Sequence, residues 1–387
     1  MTNGVSRERL TALFLDLVRI DSLSRQEHLI AARLSRELAA LGAEVWTDDA
    51  GTKVGGTTGN VLARLRGTAA VAPLLLCAHM DTVIPGTGVQ PIVDDDVIRS
   101  DGRTVLGGDD KSGCAIICEA LRVLYDEGIP HGDVEVAFTI CEEVGLLGAK
   151  HLDTSRLAAR AGLVLDSDAP GHLFTRAPAA NRLIFTVHGL AAHAGMAPER
   201  GINAIQVAAE GVAAMQLGRI DAETTANIGI VSGGDAVNVI PERVRLEGEA
   251  RSHDAAKLAA QCRNMRAALE SAAARHAVTV GGELRCARVE SVVEPSYEAM
   301  NVPDAAPIVQ LVLQAAAALG HGVESASMGG GCDANILNGR GFQVANLGTG
   351  MREIHTVREW LRVSDMVRTA AVIVEMLRRH AAGAARA

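Results

Sequence analysis

Residues 74–82 read Leu74-Leu75-Leu76-Cys77-Ala78-His79-Met80-Asp81-Thr82, an unbroken apolar run that ends in a histidine and an aspartate. An apolar run without alternation describes a short strand buried on both faces, as in the interior of a largely parallel sheet. Three further runs stop in a similar way. Val134 to Cys141 is followed by Glu142 and Glu143, Leu163-Val164-Leu165 stops at Asp166, and the strand-like stretch 342–347 is followed shortly by His355. In open α/β sheets function collects at the carboxyl ends of the strands, where loops leave the core. Four strand ends thus present imidazole and carboxylate groups to one face, and Asp109-Asp110-Lys111 opens a helix between them. That is the donor inventory of a site for two divalent metal ions, with a carboxylate to spare as a base.

Outward from these runs, Leu10, Leu13, Phe14, Leu17 and Val18 recur at helical spacing, and further helices are predicted over 26–41 and 111–125. Residues 60–65 read as a half-buried strand. Strands alternating with helices predict an α/β sandwich around a central sheet. The pattern changes near Pro178. Residues 182–188 and 242–251 alternate apolar and polar, as strands with one wet face do, helices are predicted over 203–215 and 253–276, and strand-like stretches follow near 278–293. Two strand pairs with two helices make an α+β module inserted into the first domain. After Pro295 the α/β pattern resumes with a helix over 304–319, a strand at 325–328 and a last helix over 364–379. The expected division is 1–178 and 295–387 for the metal-binding domain, and 179–294 for the insertion.

Only 2% of the residues are aromatic, so the cores must be built from Ala, Val, Leu and Ile. The net charge of −9, without a Lys/Arg cluster, argues against nucleic acid or an anionic membrane as partner. No apolar run approaches the length of a membrane span. The N-terminal stretch SRERLTALFLDLVRI is charged and helix-patterned, without a signal-peptide core, so a cytoplasmic address is expected. The seven cysteines include no C-x-x-C pair, and several lie inside apolar runs, where they read as small buried hydrophobes of a reducing compartment. Cys114 and Cys118, one helical turn apart, are the pair for which a metal or redox role is the alternative.

Each motif has a plain reading beside the chemical one. His79 and Asp81, two apart on an extended segment, point the same way, so the imidazole can bind a metal through one nitrogen while Asp81 accepts the proton on the other. Alternatively His79 caps a strand end beside a turn aspartate. Asp109 sits between glycines that permit close backbone approach, or is an ordinary helix N-cap. Glu142 and Glu143 repel one another after a buried strand unless cations compensate, and a metal on one leaves the other free as a general base. A solvated loop would also hold an acidic pair. Asn238 suits a hydrogen bond to a substrate carbonyl or a simple turn, and Arg251 a substrate carboxylate or a surface ion pair. The glycines around Gly330 suit backbone N–H groups for a substrate end or a tight turn.

Together HMDTVIPG, GGDDKSG, CEEVGLLGA, LDSD and MREIHT, in that order, resemble the co-catalytic zinc metallopeptidases that include peptidase T. The same family holds carboxypeptidase G-type enzymes, aminoacylases and succinyl-diaminopimelate desuccinylase. GLAAHAGMAPERGINAI and SGGDAVNVIPE are most similar to the peptidase T-like branch. The resemblance implies a zinc-peptidase-like α/β sandwich with a mixed central sheet, carrying an inserted α+β lid and dimerisation domain. It implies that His79 and Asp166 bind one zinc and Glu143 and His355 the other. Asp109 would bridge them, followed by Asp110 through a cis peptide, and Asp81 would orient His79. Glu142 would be the base that takes a proton from the bridging water. His193 would be the lid histidine that reaches the partner subunit's site to stabilise the oxyanion. Cobalt or manganese would suit the same ligands. Gly108, where alanine is common, and Ser167-Asp168, which replace a glycine-rich stretch, depart from the family pattern, and the second departure bears on substrate choice. The implied activity is hydrolysis of an amide bond in short peptides, with N-acyl amino acid hydrolysis or carboxypeptidase action as the alternative. A non-catalytic metal-binding relative would be free to lose Glu142.

Overall fold

Leu74–His79 is a strand with every residue buried, and it pairs in parallel with two other largely buried strands. These are Val134–Thr139, with His79 opposite Thr139, and Ala161–Val164, with Cys77 opposite Val164. The register brings their carboxyl ends level. Gln343–Leu347 continues the sheet in parallel beside Ala161–Val164. Antiparallel pairs flank this parallel centre, Val61–Leu65 with Val134–Thr139, Glu44–Thr47 with Val61–Leu65, and Gln343–Leu347 with His172–Ala177, while Glu324–Ser327 joins His172–Ala177 in parallel. The sheet of this computed structural model, which describes residues 4–384, is therefore mixed and has nine strands among the described residues.

The chain divides into two compact units. One comprises the residues up to Arg176, Met300–Met328 and the chain from Cys332 onward, and the other Ala177–Ala299 with Gly329–Gly331. In the first unit the helix Gly108–Glu127 lies against Leu74–His79 and is flanked by Arg7–Val18 and Val363–Ala384. Leu10, Leu13, Phe14, Leu17 and Val18 are the buried stripe of Arg7–Val18, and Ser6 caps its start by accepting the N–H of Arg9. Asp333–Gly339, a short helix absent from the sequence expectations, packs on Ala161–Val164 and Gln343–Leu347. A small three-stranded sheet of Ile92–Asp94, Val97–Arg99 and Trp360–Arg362 was equally illegible, because its strands are too short to show a period.

The second unit is an antiparallel sheet in the order Gly218–Arg219, Thr224–Gly233, Arg243–Ser252, Ala179–His188 and Arg288–Tyr297, covered by the helices Ala204–Ala214 and Ala255–Ala273. Leu183, Phe185 and Val187 alternate into its core and meet Val244, Leu246, Met265 and Leu269. Asn203 and Asp254 cap the two helices, each accepting two backbone N–H groups. The expected two strand pairs fall short by one long strand, Thr224–Gly233. Its TTANIGIVSG sequence holds β-branched residues but no apolar–polar alternation, because most of it lies at the sheet edge with both faces wet. Among the described residues no helix is long and apolar enough to cross a membrane.

Candidate metal centre and active site

Asp109 stands at the middle of the site. Its Oδ1 lies 2.9 Å from His79 Nε2 and its Oδ2 3.1 Å from His355 Nε2. His79 ends a buried strand, whereas His355 rides a loop on which it and Glu353 both take positive φ. Two groups of donor atoms converge on the shared aspartate: His79, Asp109 and Asp166, and Asp109, Glu143 and His355, with the atoms of each group within 4.8 Å of one another. His355 Nε2 is also 3.0 Å from Glu143. No cysteine belongs to either group, and all seven thiols, Cys114 and Cys118 among them, are free.

The local backbone explains the placement. Asp109 and Asp110 have non-helical torsions and a cis peptide between them, and it is Asp110 that caps the helix, its Oδ1 accepting the N–H of Gly113 at 3.1 Å. Asp109 is thereby free of the capping duty that was its plain reading. Gly113 has no room for a side chain: a Cβ would fall 2.3 Å from the Leu165 carbonyl, so the helix start can approach the strand end that carries Asp166. Asn346, buried on the neighbouring strand, exchanges hydrogen bonds with the backbone N–H and carbonyl of Asp166.

Asp81 acts differently from the simple spacing argument. The Nδ1–H of His79 donates first to the Asp81 carbonyl at 3.0 Å, and the Asp81 carboxylate stands at 3.4 Å. That carboxylate mainly gathers the loop after Val134–Thr139, accepting the N–H of Glu142 at 2.9 Å and of Glu143 at 3.3 Å, and the Ser24 hydroxyl at 2.6 Å. Glu142 is thus delivered to the site, buried, as a member of neither donor group.

The electrostatics fit bound cations. Burial, then the charge of Asp166, raises Glu142 well above the carboxylate range, and burial with the charge of Asp109 does the same to Asp166. Burial also raises Glu143 despite its hydrogen bond from His355. Hydrogen bonds to Asp109 and Glu143 push His355 up to about 10. Burial alone would lower His79, but its hydrogen bonds to Asp109 and Asp81 outweigh it and the imidazole is held well above its ordinary value. Carboxylates crowded in this way retain protons unless positive charge is supplied, and two imidazoles with several carboxylates form a donor set for zinc, cobalt or manganese.

The remaining candidates lie in the second unit. His193 is exposed, opposite Val239 on a short strand pair, and Asn238 adjoins it, its carbonyl accepting the N–H of Ala194. His193 Nδ1 accepts the N–H groups of Gly195 and Met196, which leaves the proton on Nε2. Arg251 makes a bidentate pair with Glu249, the ion-pair alternative, and its Nη1 lies 3.9 Å from where a Cβ would stand on Gly330.

A family model described as peptidase family M20/M25/M40 matches residues 75–379. The chain belongs to this family. The Bacillus subtilis protein YqjE is 40% identical over 374 residues, spanning 96% of this chain and 98% of its own. The crystal structure of aminopeptidase PepT from Bacillus cereus ATCC 10987 is 38% identical with a TM-score of 0.86, covering 98% of this chain and 100% of that one. A tripeptidase from Staphylococcus aureus Mu50 is 35% identical with a TM-score of 0.90 and the same coverage. The chain is therefore a metallopeptidase of peptidase T-like type.

Two carboxylates of this peptidase escaped the sequence reading. Asp333 is buried, accepts the Thr139 hydroxyl through Oδ2, and is raised to about 6 by burial, which outweighs that hydrogen bond and the charge of His79. Its signal lay in GGGCDAN, where the glycines drew the reading instead. Glu359 is also buried, within VREWLR, a stretch whose charges look solvated. The only sign of it was its place four residues after His355.

Proposed function

We propose that this peptidase is a zinc-dependent aminopeptidase of short peptides, tripeptides foremost, working through a two-ion centre. The observation that carries the reading is the Asp109 carboxylate facing His79 with one oxygen and His355 with the other. His79 and Asp166 would hold one ion, Glu143 and His355 the other, and Asp109 both. Two divalent ions there would supply Lewis acidity that acidifies water and polarises the scissile carbonyl. Glu142, outside both donor groups, is the general base: it takes the proton of the attacking water and returns it to the departing amine. Burial raises the Glu142 carboxyl, which strengthens it as a base. Asp81 holds His79 and the Glu142–Glu143 loop in mutual register. Asn238, Arg251 and Gly330 are assigned to the substrate ends.

The peptidase would work as a homodimer through the second unit, with His193 donating its Nε2 proton to the oxyanion in the partner's site. The edge strand Thr224–Gly233 supports this, since Ile230 and Val231 on it are exposed. Val231→Lys should leave a monomer by light scattering, and a wild-type chain that is monomeric and fully active would remove the role in trans. Seven free cysteines, six of them buried, support a reducing cytoplasmic setting. The activity is tested by hydrolysis of di- and tripeptides, free, N-acetylated or C-amidated, beside N-acyl amino acids. Cleavage abolished by N-acetylation and spared by C-amidation is expected. Cleavage confined to N-acyl amino acids would place the enzyme among the acylases.

A further inference from the structure

We propose that Glu359 is a positioning residue that fastens the Asp109 turn to the His355 loop and so sets the spacing of the two halves of the metal centre; this rests on the two-ion reading above. The side chain of Glu359 is 1% exposed and belongs to neither donor group. Its carboxylate is occupied by main chain: Oε2 accepts the N–H of Leu106 at 2.7 Å and of Gly107 at 2.8 Å, and Oε1 accepts the N–H of Asp109 itself at 3.0 Å. Three N–H groups on one carboxylate define the path of the turn into Asp109, because each bond is charge-assisted and directional.

The other end of the link is the loop that carries His355. Arg352 and Trp360 exchange two backbone hydrogen bonds, 2.8 and 3.1 Å, and close that loop at its base. Glu359 is the last residue before the closure, its own N–H bound to the Thr356 carbonyl and its carbonyl to the Ser100 N–H. The His355 side chain is half exposed, so the base of the loop, more than burial, determines where the imidazole stands. Glu359 therefore ties the base of one ligand loop to the backbone of the ligand shared by both groups. A buried carboxylate is costly to keep when an apolar residue would fill the space, and the bonds it makes here all serve that tie.

The test uses metal-free full-length protein titrated with Zn(II) by calorimetry and with Co(II) by visible absorption. Wild type should bind two ions, and fewer would defeat the two-ion reading itself. Glu359→Gln has one acceptor oxygen; if it keeps Leu106 and Gly107, its NH2 group faces the Asp109 N–H. Glu359→Asp keeps the charge and shortens the reach. Both should hold the first ion normally and bind the second about 10–100-fold more weakly, with profiles that move toward that of His355→Ala. Excess metal should restore kcat, and the unfolding midpoint of the metal-free Glu359→Gln protein should stay near wild type. If Glu359→Gln does not fold, Glu359→Asp carries the test alone. Two ions bound at wild-type affinity, or equal weakening of both, would overturn the proposal.

Discussion

Asp81 accepts from His79 through its main-chain carbonyl and from the N–H groups of Glu142 and Glu143 through its carboxylate, so one residue ties the strand end that bears the imidazole to the loop that bears the two acids. Within that frame the two glutamates are separable by substitution. Glu142→Gln should retain two ions per chain, measured by elemental analysis, while kcat falls about 10²–10⁴-fold. His355→Ala should lose one ion and the activity with it. Glu142→Gln with wild-type turnover would remove the base from the mechanism. His79, Asp109, Glu142, Glu143 and Asp166 were legible because each follows an apolar strand or opens a helix, and a polar group at such a boundary is conspicuous. Glu359 and Asp333 were not, because their work lies in contacts distant along the chain: Glu359 meets Leu106, and Asp333 meets Thr139.

The level carboxyl ends of Leu74–His79, Val134–Thr139 and Ala161–Val164 make one working face out of separate elements. Largely apolar runs betrayed these strands, and alternation betrayed Ala179–His188 and Arg243–Ser252. Thr224–Gly233 had neither pattern, since an edge strand with little buried surface imposes none on its sequence. The core of the second unit is testable at one position. Phe185 is fully buried between the sheet and its helices, and Phe185→Ala should cost about 3–5 kcal/mol in chemical denaturation. A loss well under 1 kcal/mol would mean that the unit is held by something other than this core.

At the scale of the whole molecule, protons and metal ions compete for one acidic centre. In the metal-free chain His355 is raised from 6.5 to about 10, so the stability it contributes is present below 6.5 and is lost as pH climbs toward 10. Glu142 and Asp166, raised by burial and by neighbouring charge, act with the same sign from the carboxylate range upward. Metal binding must displace these protons, so the gain in melting temperature on adding Zn(II) should widen between about pH 5.5 and about pH 8. A gain that is constant or shrinks over that range would separate the bound metal from this cluster. The two-ion centre itself is tested most directly by anomalous diffraction from crystals of the zinc-loaded protein. Two peaks about 3.5–4 Å apart, one between His79 and Asp166 and one between Glu143 and His355, with Asp109 touching both, are the result expected. A single peak, or zinc bound away from Asp109, would contradict it.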